Sequence, residues 1–229
     1  MQPTTLGTVD PRTPIFRAHA HHNAWANHRL LGACVQLDAD EFAARRTSFF
    51  PSIKATLNHI LTVDWYYIDA MERTLDSRDP NPDFAAFYDP EEPFSDCAAL
   101  RDAQRASDAR LIALCDSLDD SLDDPMDDSR GGTPGETSRL DTVILVPRRS
   151  GIHPEPLPRL LFHLYHHQVH HRGQVHAMLA GTRIAPPQLD EFFCVGDGPV
   201  RADDFEALGF DERVTWLTPA ATPVRNGRE

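Results

Sequence analysis

No stretch of the 229 residues comes near the roughly 20 consecutive apolar residues that a membrane-spanning helix needs. Cysteine is scarce, and Cys34, Cys97, Cys115 and Cys194 form no CxxC pair. That argues against a disulfide framework and leaves four small buried or surface thiols, none placed as a catalytic nucleophile. Basic residues are short as well, 22 Lys plus Arg against 35 Asp plus Glu, for a formal charge of −13. So acidic a surface repels phosphate backbones and anionic lipid, and neither nucleic acid nor membrane is expected as a partner. Residues 1–14 are polar and proline-rich and lack the apolar centre of a signal peptide, so a cytoplasmic location is expected.

Histidine is in excess. There are 12, and five of them are His163, His166, His167, His170 and His171, while His19, His21, His22 and His28 form a second group. With 41% hydrophobic residues the chain can bury one core without staples.

The apolar spacing predicts four long helices near 15–37, 52–75, 95–118 and 155–180, an all-α four-helix bundle with antiparallel helices. Phe16, Asn23, Leu30, Cys34 and Leu37 mark the first. Ile53, Leu57, Ile60, Asp64, Tyr67, Ile68 and Met71 form one stripe of the second, with His59, Val63, Tyr66 and Ala70 on another line. Ser95 is the expected N-cap of the third, and Gly181 the stop of the fourth. Residues 76–93 read as a crossing loop and 119–150 as a long, acidic, exposed linker before the last bundle helix. Within that linker Thr142 to Pro147 is β-like, but too short to imply a sheet by itself. The domain reading is a disordered arm at 1–14, a helical domain at 15–218 with short C-terminal helices, and a polar tail at 219–229.

A helical wheel at about 100° per residue places the chemistry on the fourth helix. Leu157, Leu161, Leu164, Gln168, Val175 and Leu179 set the inward direction. His171 then lies about 40° and His167 about 80° from it, on the same side, whereas His166 and His170 point outward. Two imidazoles four residues apart stack one turn apart, as two ligands of one ion must. The third ligand stays open on spacing alone, between His59 and His19. Asp64 lies on the main stripe of the second helix, and an inward carboxylate needs a partner, for which Arg172 or an imidazole N–H is a candidate. Trp25 and Gly173 read as packing residues, the indole in the core and the glycine at a close helix approach.

Asn23-Ala24-Trp25-Ala26-Asn27 with Arg29-Leu30-Leu31 resembles the first-helix signature of the DinB-like proteins. The stretch Ser52 to Leu61, containing Asn58-His59, is similar to their second helix, and Leu161 to Val175, containing His167-xxx-His171-Arg172-Gly173-Gln174, to their last bundle helix. The resemblance implies a four-helix bundle, often dimeric, that binds a divalent metal through His59, His167 and His171. Three imidazoles leave a coordination position open, and that donor set suits zinc or nickel. The expected activity is a metal-dependent hydrolase or thiol transferase acting on a small molecule, with a low-molecular-weight thiol as a candidate partner and a homodimer as the assembly. The alternative is a non-catalytic, stress-associated bundle with a structural ion.

Overall fold

The structure, a computed structural model, describes residues 10–118 and 138–216. The arm at 1–9, most of the acidic linker (119–137) and the tail lie outside the described residues. The described chain is mostly helical: α1 (Thr13–Cys34), α2 (Ala39–Ala43), α3 (Ile53–Leu75), α4 (Cys97–Asp116), a hairpin of β1 (Val143–Arg148) and β2 (Gly151–Pro156), α5 (Leu157–Leu179), α6 (Gly198–Leu208) and α7 (Glu212–Trp216). No helix among the described residues is long and apolar enough to cross a membrane.

The helix starts follow from local chemistry. Asp38 caps α2 with a capping box, its side chain accepting from Glu41 N while Glu41 reaches back to the Asp38 amide. The Ser52 hydroxyl accepts from Ala55 N at 3.0 Å and opens α3 seven residues before His59. At α4 the cap is Asp96, not the expected Ser95; its carboxylate takes Ala99 N at 2.8 Å. Each cap satisfies an amide that the first turn leaves without a helical partner.

The largest departure is the hairpin. The fourth long helix begins at Leu157 rather than 155, because Gly151–Pro156 pairs antiparallel with Val143–Arg148. Gly151, at φ 119°, makes the tight turn, a backbone region only glycine enters without strain. Pro154 and Pro156 lack an amide donor but sit on a two-stranded ribbon, where no inner ladder is broken. Leu140, Ile144 and Val146 are each 0% exposed, so the linker expected to be exposed contributes these three side chains to the core, while Val143, Leu145 and residues 148–150 stay exposed.

The membership of the two main hydrophobic clusters fixes the helix directions. One cluster joins Phe16 of α1, Val63 to Met71 of α3, Leu111 to Leu118 at the end of α4, and Leu157 to Tyr165 at the start of α5. The other joins Leu30 to Leu37, Ile53 to Leu61, Cys97 and Leu100, and Val175 to Leu179. Thus α1 and α5 run one way and α3 and α4 the other. The uniformly antiparallel arrangement expected from sequence is therefore corrected: α3 and α4 are parallel neighbours, and the 76–96 connection returns along the molecule. Asn58 pins that return, donating to Phe94 O and accepting from Phe94 N, both at 2.9 Å.

The C-terminal helices pack on α1. Trp25, 0% exposed, sits with Phe192 and Phe205 and donates through Nε1 to Asp204 at 3.0 Å. Arg29 spans the same seam, bonded to Asp204 and Glu191. Trp25 is core, as expected. Gly173 is not at a close approach: it is exposed, and a Cβ there would meet nothing within 4 Å.

Candidate metal centre

Two polar groups interrupt the core between the hydrophobic clusters. The first lies on the α3–α5 seam. His59 of α3 and His167 and His171 of α5 each offer a ring nitrogen, and these atoms lie within 4.8 Å of one another. His59 Nε2 faces His167 Nε2 at 3.0 Å. The antiparallel packing of α3 on α5 explains the meeting: an early turn of α3 lies opposite the later turns of α5. His171 is buried and the other two are half-buried.

The rings carry no counter-charge of their own. Burial, with His171 as a like neighbour, lowers the His59 pKa to about 4. Burial and the surrounding imidazoles lower that of His167 to about 3. His171 is lowered too, chiefly by burial. Neutral imidazole is the form that ligates a metal. His167 Nδ1 is buried without any hydrogen-bond partner, and buried ring nitrogens are normally paired. Three neutral rings whose nitrogens converge, His59 Nε2 and His167 Nε2 facing at 3.0 Å, fit a cation.

Sequence reasoning missed two supports of this group. Gln174 Oε1 accepts from His171 Nδ1 at 3.0 Å, which directs His171 Nε2 toward the cluster, and Gln174 Nε2 donates to His170 Nε2 at 2.9 Å. Gln174 follows His171 by three, a same-face spacing, so the signal was present. Phe50, from the loop between α2 and α3, covers one side with ring centroids 4.3 Å from His59 and 5.5 Å from His171. Nothing periodic marks that loop residue.

The other candidates fall elsewhere. His19 stacks on Tyr165 at 5.3 Å, beside Phe193, on the α1 side of α5. His163, His166 and His170 are exposed. Asp64 and Arg172 belong to the second polar group, a buried layer that ties together all four long helices. Asp64 Oδ2 accepts from Gln104 Nε2 at 2.8 Å and from Gln168 Nε2. Arg172 donates to Asn23, to Asn27 at 3.1 Å and to Gln168 at 3.0 Å. Asp108 accepts from Asn23, Asn27 and Gln104 at 3.0–3.1 Å. None of these bonds runs to the three histidines; the partner expected for Asp64 is supplied by the two glutamines rather than directly by Arg172. Burial, then the charge of Asp108, pushes the Asp64 pKa up to about 7, and burial pushes Asp108 up to about 6.

Fold and site together define a mostly helical protein with a three-histidine group able to hold a metal ion. A family model described as the DinB family matches residues 10–194, and the chain belongs to that family. No curated protein matches it in sequence. Helices α6 and α7 lie beyond the matched residues and pack on the signature residues Trp25 and Arg29.

Proposed function

We propose that this protein is a divalent-metal-dependent enzyme, a hydrolase or thiol transferase, with His59, His167 and His171 as the ligands. The observation that carries this reading is the convergence of three neutral imidazoles, two facing at 3.0 Å, with no carboxylate among them. Such a donor set suits zinc or nickel. A bound ion of this kind would supply Lewis acidity, lowering the pKa of a water toward about 7 or holding a thiol as its thiolate.

The remaining roles belong to the chain itself. Gln174 holds the His171 ring in one tautomer and orientation. Phe50 excludes water from one side of the group. The half-buried setting of His59 and His167 leaves the seam accessible to a small-molecule substrate, and a low-molecular-weight thiol is the partner in the transferase form of the reading. In the wider reading, the four long helices form the family's four-helix bundle and the protein is cytoplasmic. It is also a homodimer, for which the exposed Phe162 and Val169 on α5 and Ile15 on α1 supply an apolar face.

Chelation tests the catalytic reading against a structural ion. The two hydrophobic clusters and the buried polar layer hold the helices without any contribution from the three rings. Removing the metal should therefore leave the protein folded, with only the ligand-linked part of its thermal stability lost. Unfolding on chelation would make the ion structural and contradict an enzymatic role built on an open position.

A further inference from the structure

Beside the histidine group lies an open cleft of about 690 Å³ that the metal chemistry does not use. One wall is the 46–49 loop, Arg46-Thr47-Ser48-Phe49, and the other is the α5 face bearing His170, Gly173 and Gln174. Its size is that of a small-molecule site. It adjoins the candidate centre directly, since Gln174 is bonded to His171 and the Phe49 and His171 ring centroids are 6.4 Å apart.

Four features say what would fill it. Among the described residues no Asp or Glu lines the cleft, although the chain carries 35 of them and a formal charge of −13. The cation present, Arg46, donates to the Ala44 carbonyl at 3.0 Å, and among the described residues no carboxylate pairs with it. Its planar fork therefore retains donors for an oxyanion, with the Thr47 and Ser48 hydroxyls alongside. Phe49 is 79% exposed, a large apolar ring held in water next to this charge. Gly173 supplies the fourth. A Cβ there meets nothing within 4 Å, so helix packing does not require glycine, and a glycine inside a helix costs about 1 kcal/mol relative to alanine. What the missing side chain leaves is room in the cleft.

We infer that this cleft binds the anionic end of the substrate. The ligand class is a small amphiphilic oxyanion, a carboxylate or phosphate on an apolar body, with the anion on Arg46 and the body between Phe49 and Gly173. Its reactive atom then points past Gln174 to the histidine group; that last clause rests on the metal-enzyme reading, while the binding of the anion does not.

Calorimetric titration of the full chain with phenyl phosphate, phenylacetate and inorganic phosphate, metal-loaded and metal-free, tests the assignment. Wild type should bind both phenyl compounds saturably at one site, and more tightly than inorganic phosphate. Preference between phenyl phosphate and phenylacetate identifies the head group. Arg46→Gln should weaken binding at least tenfold, Arg46→Lys less, and Gly173→Leu should remove it, with circular dichroism and metal content unchanged. Saturable binding that is equally tight in Arg46→Gln and Gly173→Leu would overturn the inference, as would the absence of saturable binding to wild type. Arg46-dependent binding by a protein that takes up no metal would instead sink the metal reading and leave the cleft standing.

Discussion

Two polar groups interrupt the same helical core, and they are built on opposite principles. The layer of Asn23, Asn27, Asp64, Gln104, Asp108, Gln168 and Arg172 is bonded chiefly within itself: donors meet acceptors from all four long helices, and every member is nearly inaccessible to water. The histidine group does not close. Its rings face one another at an edge of the core, like beside like, with His59 Nε2 and His167 Nε2 at 3.0 Å. A self-satisfied buried network fixes register, whereas polar groups that satisfy neither themselves nor their neighbours point to a partner from outside the chain. One atom of the layer, Asp64 Oδ1, is without a partner, and it belongs to the acid that burial pushes up to about 7.

If the layer is architecture and the histidines are not, stability must separate them. Arg172→Met removes the only cation from a buried layer that holds two acids, and should cost about 3–5 kcal/mol in urea unfolding of the metal-free protein. His59→Ala, in the same assay, should move stability by less than about 1 kcal/mol. Equal losses would erase the distinction.

The support of the site should show a smaller and opposite signature. Gln174→Ala frees the His171 ring and should lower metal affinity about 10–100-fold in a competition titration, with the unfolding free energy of the metal-free protein nearly unchanged. Unaltered affinity would mean that the bond to Gln174 does not orient a ligand.

The smallest effect concerns pH. An unfolded aspartate titrates near 3.9, so with Asp64 raised to about 7 the folded state binds more protons across about pH 4–7. Its contribution to stability is therefore fully present at the acid end of that window and declines as pH rises through it. The histidines, lowered when folded, contribute in the opposite sense, so the difference between Asp64→Asn and wild type isolates the aspartate. The variant should lose much of the decline across about pH 4–7; an identical pH profile would show that Asp64 ionises freely in the folded protein.

The sequence carried different amounts of information about the two groups. His167 and His171 were legible because a 3.6-residue period and a four-residue spacing determine where side chains point on one helix. The choice of His59 over His19 was not legible from periodicity, because it depends on how α3 and α5 pack; the family resemblance named it. Asp64 was readable as inward and in need of a partner, but Gln104 comes from a helix whose direction depends on the 76–96 crossing, a non-local fact. The hairpin was missed for a local reason: the proline-containing Gly151–Pro156 strand lacks alternating apolar residues, and its pairing with Val143–Arg148 is what makes it a strand. Gly173 was misassigned because a glycine inside a helix signals missing bulk without saying whether a neighbouring helix or a cleft needs the space.

The most direct test of the central claim is the metal content, by elemental analysis, of protein purified without added metal, for wild type and six single alanine variants. Wild type should carry about one divalent ion per chain. His59→Ala, His167→Ala and His171→Ala should each lose it, while His19→Ala, His166→Ala and His170→Ala should retain it. Metal-free wild type that also fails to take up zinc or nickel on titration, or equal loss across all six variants, would contradict the account.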